Sequence, residues 1–247
     1  MKKIVLLFLL IVISCKPAKK ELSAQDIIDK TIAFSGSDKV KNSKIGFKFR
    51  DKEYAAVRQN GDFKLFRFSN NSENETIEDV LSNNGFKRFV NGKLVKTNDS
   101  ISNVISNAVN SVHYFSVLPF GLNDKAVNKK LLSSVTIKGK EYYKIEITFS
   151  KDGGGEDFED VFIYWVGKED FLIDYLAYAY HTNGGGKRFR ALKEQCNKNG
   201  IRFVDFENYK PLNKEIALIN IDRAFEKNEL IKVSEIILEN IEVKLLK

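Results

Sequence analysis

The sequence predicts an α+β protein built on antiparallel strands and organised as one domain, residues 22–247. Three observations carry this reading. Apolar and polar residues alternate with period two in many short segments, the pattern of strands with one buried face. Glycine-containing turn pairs separate many of those segments, as antiparallel hairpins require. Two longer stretches instead repeat their apolar residues at i, i+3 and i+4, the period of an amphipathic helix. The 247-residue chain is 43% hydrophobic and 12% aromatic, enough to fill a core, which excludes wholesale disorder. With 2 Cys and 2 His it offers neither a disulfide scaffold nor a Cys-rich zinc module, and no metal or cofactor is expected.

The N-terminus reads as an address. Met1-Lys2-Lys3 is basic, and Ile4 to Ile13 is an unbroken apolar run of ten residues. A run this short suits the hydrophobic region of an export signal and not a bilayer-spanning helix. It ends at Val12-Ile13-Ser14-Cys15, which resembles the lipobox of bacterial lipoproteins. That resemblance implies cleavage before Cys15 and acylation of the cysteine. Residues 1–14 are then a signal peptide, and residues 15–21 a lipidated cysteine with a polar tether. The protein is expected in the bacterial cell envelope, held on a membrane by its N-terminal lipid anchor. Lys16 stands where an Asp would signal retention in the inner membrane, so outer-membrane placement facing the periplasm is expected. The excess of 40 Lys and Arg over 33 Asp and Glu reads as attraction to anionic head groups, or simply as a solvated basic surface. An exported protein is not expected to bind nucleic acid. The oligomeric state is left open.

The folded part opens with a helix from a Ser23 cap to about Phe34. Ile27, Ile28, Thr31 and Ile32 share one face, and Gly36 is placed to end it. Strands follow. Ile45, Phe47 and Phe49 alternate in one, and Tyr143, Ile145, Ile147 and Phe149 in another. A last alternating segment holds Ile231, Val233, Ile237, Ile241 and Val243. Asn60-Gly61, Asn91-Gly92, Lys138-Gly139-Lys140 and Asn199-Gly200 mark turns. One interior helix, capped by Asp99 or Ser100 and bounded by Pro119, carries Ile101, Val104, Ile105, Ala108, Val109 and Val112 on its apolar stripe. His113 ends it and reads as a cation complementing the helix dipole. A further helix or turn is expected around residues 214–227.

Two glycine triplets, Gly153–Gly155 and Gly184–Gly186, are the most unusual local feature. They follow strands 142–150 and 172–182 of a meander, whose alternate turns lie at the same end of the sheet. If Gly167–Asp170 closes the hairpin between 158–166 and 172–182, His181 falls opposite Glu156, near Asp157, and across the next hairpin near Arg188. Asp152, Glu156, Asp157, His181, Arg188 and Arg190 are therefore expected in one polar cluster. A His–carboxylate pair there can do acid–base work. Clustered carboxylates can hold a cation, although the spacing lacks the alternation of a calcium loop. The bland reading is that opposite charges steady a hairpin end.

Other signals are negative. There is no Gly-x-Ser-x-Gly elbow, no His-Glu-x-x-His and no Gly-x4-Gly-Lys-Ser/Thr loop. Cys196 lies in a polar stretch with no histidine near in sequence. Blocks in residues 114–211 do look like something known. They include Leu118-Pro119-Phe120-Gly121-Leu122-Asn123-Asp124, Asp160-Val161-Phe162-Ile163-Tyr164-Trp165, His181-Thr182-Asn183-Gly184-Gly185-Gly186 and Asn208-Tyr209-Lys210-Pro211. They resemble an uncharacterised family of Bacteroidetes lipoproteins, which has no activity to carry over. The order of lipobox, tether, helix and strands with one inserted helix resembles, more distantly, the LolA/LolB-like lipoproteins. That resemblance implies a curved, largely antiparallel sheet forming a half-open barrel around one or two helices, with an apolar cavity. Ile101, Val104, Ile105, Val109 and Val112 would face Phe162, Tyr164 and Tyr178 across it. The expected function is to bind or carry a lipid-like ligand or lipoprotein without catalysis. An envelope enzyme using His181 and a partner-docking lipoprotein are the alternatives.

Overall fold

The computed structural model describes residues 21–153, 158–181 and 184–247. Its first helix, α1 (Ala24–Ser35), begins in a capping box: the Ser23 hydroxyl accepts from Asp26 N–H, and the Asp26 carboxylate accepts from Ser23 N–H. It ends on Gly36, whose φ of 66° requires glycine. A side chain there would also meet the carbonyl of Gly200, so this cap is a point of contact between distant parts of the chain. Lys39 Nζ, in a following 3-10 turn, donates to the same carbonyl at 3.1 Å.

Seven strands form a first antiparallel sheet: β1 (Ser43–Phe49), β2 (Lys52–Gln59), β3 (Asp62–Asn70), β4 (Thr76–Ser82), β5 (Gly85–Val90), β6 (Lys93–Val95) and the last strand of the chain, β14 (Glu239–Leu245). Its order is β14-β1-β2-β3-β4-β5-β6. The predicted Asn60-Gly61 and Asn91-Gly92 turns link β2 to β3 and β5 to β6, with positive φ at all four residues. The helix α2 (Asp99–Ser116) follows, capped by the Asn98 side chain one residue before the expected cap. The second antiparallel sheet holds β7 (Val127–Ile137), β8 (Lys140–Phe149), β9 (Val161–Gly167), β10 (Ile173–Tyr180), β11 (Gly186–Lys198), β12 (Ile201–Pro211) and β13 (Leu230–Ile236), in order β13-β12-β11-β10-β9-β8-β7. A 3-10 turn (Leu218–Asn220) and the short helix α3 (Ile221–Glu226) lie between β12 and β13.

Fold class is as expected: α+β, antiparallel and unclosed. The curved surface is divided between two sheets, however. The apolar segment 231–243 is not one strand. It breaks after Ile236, and Leu238 N–H is held by the Asp205 carboxylate at 2.9 Å. β13 therefore edges the second sheet, while β14 crosses to pair with β1, Ile45 opposite Val243. Leu238 packs with Ile45, Phe47, Ile201 and Phe203 in the seam between the sheets.

The helices take different faces. Ile27 and Ile28 of α1 are fully buried against Ile145, Ile147, Tyr164 and Leu176 on the inner face of the second sheet. α2 is committed to the first sheet, where Val109 packs on Ala56 and Leu65. α3 covers the outer face of the second sheet, placing Ile221 and Phe225 against Trp165, Phe189 and Tyr209. The interior strand β9 is thus buried on both faces, and its near-continuous apolar sequence follows.

Sealing that outer face buries ions. Lys144 on β8 and Asp222 on α3 pair at 2.8 Å, with side chains 6% and 4% exposed. Trp165 Nε1 donates to the same carboxylate oxygen at 3.2 Å, and Lys144 also donates to the Ile219 carbonyl. Under α2, the fully buried Asp79 accepts from Arg67 and Arg88 on the two flanking strands. Removing one member of a buried pair leaves the other uncompensated. Lys144→Met is therefore expected to lower unfolding free energy by about 3–5 kcal/mol in urea denaturation. Double replacement by Met and Leu at 144 and 222 should recover much of that loss.

His113 does not act as the exposed dipole cation expected from the sequence. It is 1% exposed, lies edge-on to Phe47 and Tyr54, and bonds the Phe66 carbonyl through Nε2 at 3.0 Å. Burial pushes its pKa down to about 4, with the Arg58 charge on β2 acting in the same direction. The folded ring is neutral, with Nε2 as donor. The unfolded ring takes a proton below about 6.5. Acidification through that value therefore favours the unfolded state, and the effect levels off below about 4. The full loss is about 3 kcal/mol. Unfolding free energies measured from pH 7 to 4.5 should fall more steeply for the natural protein than for His113→Gln. Equal slopes would mean that His113 titrates normally in the fold.

Candidate functional site

Because α2 turns its apolar stripe toward the first sheet, its opposite flank borders open space. Val104, Asn107, Ala108, Ser111 and Phe115 face a cavity of about 720 Å3 between α2 and the inner face of the second sheet. Phe149, Phe162, Tyr178, Val204, Phe206 and Ile236 supply the sheet wall. Phe49 of the first sheet and Leu238 of the seam complete it. The aromatic wall is continuous: Phe162 lies 6.1 Å from Phe115, 5.7 Å from Phe149 and 5.5 Å from Tyr178 between ring centroids.

Period-two alternation explains which side chains reach the cavity. Phe162 pairs with Tyr178, and Tyr178 with Arg188, so these residues share the inner face. Leu176, Tyr164 and Arg190 share it one step along. Trp165, Tyr142 and Tyr175 point the other way, into the core under α3.

Four of the eight predicted cavity residues line the cavity: Val104, Val112, Phe162 and Tyr178. The other four do not. Val109 is buried on the first sheet with Ile105 packed beside it, and Ile101 is 48% exposed near the start of the helix. Tyr164 is fully buried beneath the wall, where its hydroxyl meets that of Tyr114 at 3.1 Å. Burial pushes the Tyr114 phenol up to about 12 and raises that of Tyr164 as well.

Four of the six residues of the predicted polar cluster lie among the described residues. Glu156 and Asp157 lie outside the described residues. Asp152 is exposed in the turn after β8 and does not line the cavity. His181 is exposed, and its Nδ1 lies 3.5 Å from Asp160 Oδ1 at the cavity rim. The register explains this. β9 and β10 are joined by a longer turn than Gly167–Asp170, with Phe171 at a φ of 55° and a bulge at Asp174. Val161 then stands opposite Ala179, so position 181 falls opposite residue 159 and not 156. Asp160 was the carboxylate that sequence reasoning missed. Phe115, Phe149 and Phe206 were missed as wall residues, and strand parity would have found the latter two.

Arg188 and Arg190 are in the cavity wall, two residues apart on β11. Arg188 lies over the Tyr180 ring and donates to the Lys187 carbonyl at 2.9 Å. Arg190 is 8% exposed. Its guanidinium lies 3.9 Å from the Phe115 ring centroid, and Nη2 donates to the Tyr178 hydroxyl at 3.2 Å. Its Nε has no partner. Burial lowers its pKa. Among the described residues no group of three or more His, Cys, Asp or Glu is placed to hold a metal ion. Cys196 is free and exposed on β11.

No curated protein sequence matches the chain. Among solved structures, it is similar to a LolA superfamily protein from Nitrosomonas europaea, with 11% identity, 92% of this chain and 94% of that one covered, and a TM-score of 0.47. A DUF1329 family protein from Desulfovibrio piger matches at 10% identity over 89% and 92% of the two chains, TM-score 0.42. A Vibrio parahaemolyticus domain assigned to outer-membrane lipoprotein sorting matches at 7% identity over 88% and 93%, TM-score 0.41. The family match extends well beyond the blocks in residues 114–211. The sequence fits the DUF6503 family, a family of unknown function, over residues 2–240, and the chain belongs to it.

Proposed function

We propose that this protein is a bacterial envelope lipoprotein that accommodates the apolar part of a lipid-like ligand, free or as the acyl groups of another lipoprotein, between α2 and the second sheet. One observation carries the reading: a cavity of about 720 Å3 with a continuous wall of Phe115, Phe149, Phe162 and Tyr178, and with Phe206 also lining it. Ligand sites commonly have about 300–1,000 Å3 and mostly apolar walls with a few polar groups. Core aromatics normally pack against other side chains. Here they border space because the facing helix flank carries Asn, Ala and Ser, which are too small to fill it.

The energetics are adequate. Burying a methylene gains about 0.8 kcal/mol, so about ten of them give about 8 kcal/mol. That corresponds to a Kd near micromolar, before the costs of ordering the chain. A fluorescent fatty acid should bind the purified protein at low to tens of micromolar and be displaced by unlabelled fatty acid. Ala108 lines the cavity from an exposed position on α2. Ala108→Trp should fill the space, weakening binding at least about tenfold while leaving the unfolding midpoint within a few degrees. Absence of binding at tens of micromolar would reject the carrier reading.

The anchor belongs to the same proposal. Cys15 at the end of the ten-residue apolar run supports acylation there, with the outer membrane as the expected address. No helix among the described residues is long and apolar enough to cross a membrane. Intact-mass measurement of protein extracted from cells should show a chain starting at Cys15 and carrying acyl mass. Cys15→Ser should abolish both the added mass and cosedimentation with membranes.

A further inference from the structure

We propose that the cavity selects an amphiphile with a single anionic head, and that Arg190 is the head-group site. The inference rests on the reading that the cavity takes an apolar chain, and it adds which chemical class of chain. Its basis is the contrast between Arg190 and the other buried or half-buried cations. Lys144 has Asp222 at 2.8 Å. Arg67 and Arg88 share Asp79. Arg202 has Asp174 at 3.2 Å and the Ile173 carbonyl at 2.8 Å. Arg190 has one neutral hydroxyl and aromatic faces, its Nε is unpartnered, and no carboxylate of the described residues forms an ion pair with it. Arg58 also lacks an acid, but it is packed over Phe120 and does not border the cavity.

A guanidinium buried with one neutral acceptor and an unpartnered Nε is costly, and a second cation, Arg188, shares its wall. An oxyanion placed there would supply acceptors to planar, always-charged donors, which suit carboxylate and phosphate oxygens. Phe115, stacked on Arg190, also belongs to the aromatic wall, so a head bound at the arginine leaves its tail beside Phe162. The polar and apolar ends of the ligand are therefore placed by adjacent residues. Carboxylate and phosphate heads share this chemistry.

Dodecanoate, dodecyl phosphate and dodecanol have the same tail and separate the two ends of the ligand. Displacement titrations on the purified protein should show one or both anions binding about 10–100-fold more tightly than the alcohol. The tighter anion identifies the head. Arg190→Gln should bring anion affinity down to that of the alcohol measured on the same variant, and Arg190→Lys should keep part of the preference. Equal binding of anions and alcohol by the natural protein would overturn the head-group site and leave the apolar reading standing. So would a preference that survives Arg190→Gln. Failure of all three ligands to bind would instead overturn the apolar reading, and this inference with it. The comparison on the natural protein decides the matter even if Arg190→Gln does not fold.

Discussion

The shape of this molecule depends on how α2 spends its single apolar stripe. An amphipathic helix has one face to bury, and it must choose between the two sheets that flank it. Val109 and Ile105 go to the first sheet, with Ala56 and Leu65. His113 fixes the choice by reaching the Phe66 carbonyl while lying against Phe47 and Tyr54. Once those contacts are made, the side of α2 that faces the second sheet carries Val104, Asn107, Ala108 and Ser111, with Phe115 near its end. That row cannot fill the distance to Phe162 and Phe206. The cavity is the space left by a helix with too little apolar surface to satisfy two sheets.

The second sheet makes the opposite commitment. Its interior strand β9 is buried on both sides, by α1 within and α3 without, so its successive residues enter two different cores. Phe162 and Tyr164 go inward, Ile163 and Trp165 outward. Covering the outer face required burying Lys144, and Asp222 on α3 together with the Trp165 indole satisfies it. A short helix of six residues has little stability of its own. Its attachment through one ion pair and the Phe225 cluster explains how it stays in place. The two-sided core makes the cavity wall rigid, since Phe162 cannot retreat into a soft layer behind it.

Much of this was legible in the sequence, and the failures have local physical causes. Ser23 and Gly36 marked α1, and the Asn-Gly pairs marked their hairpins, because these signals act within a few residues. The period of α2 was equally clear, but the stripe does not say which of two sheets it meets, and the residues assigned to the cavity divided accordingly. Register failed where it depended on a turn without a strong signal. Phe171 adopts a left-handed backbone that its residue type seldom takes, and the bulge at Asp174 adds a further shift. Those irregularities shift the pairing, so that Val161 stands opposite Ala179 and His181 lies beside Asp160. The last apolar segment misled in the same way. Alternation over residues 231–243 continues through a break at which the chain changes sheets, and a pattern confined to one strand carries no information about its partner.

That change of sheets also decides how the cavity can respond to a ligand. β14 ties the C-terminus to β1, and Leu238 sits in the seam while lining the cavity. The same residue therefore belongs to the joint between the sheets and to the cavity wall. A guest that packs against Leu238 and Phe49 touches both sheets at once, whereas one confined to Phe162 and Tyr178 touches only the second. On the cavity side the aromatic lining has no side chain packed against it, and a chain long enough to reach the seam would supply contacts to both sheets together. Binding of such a chain adds to folding stability in proportion to the logarithm of its concentration over Kd. Ile237 and Leu238, the two residues between β13 and β14, thus carry the chain from one sheet to the other, with Leu238 at the cavity.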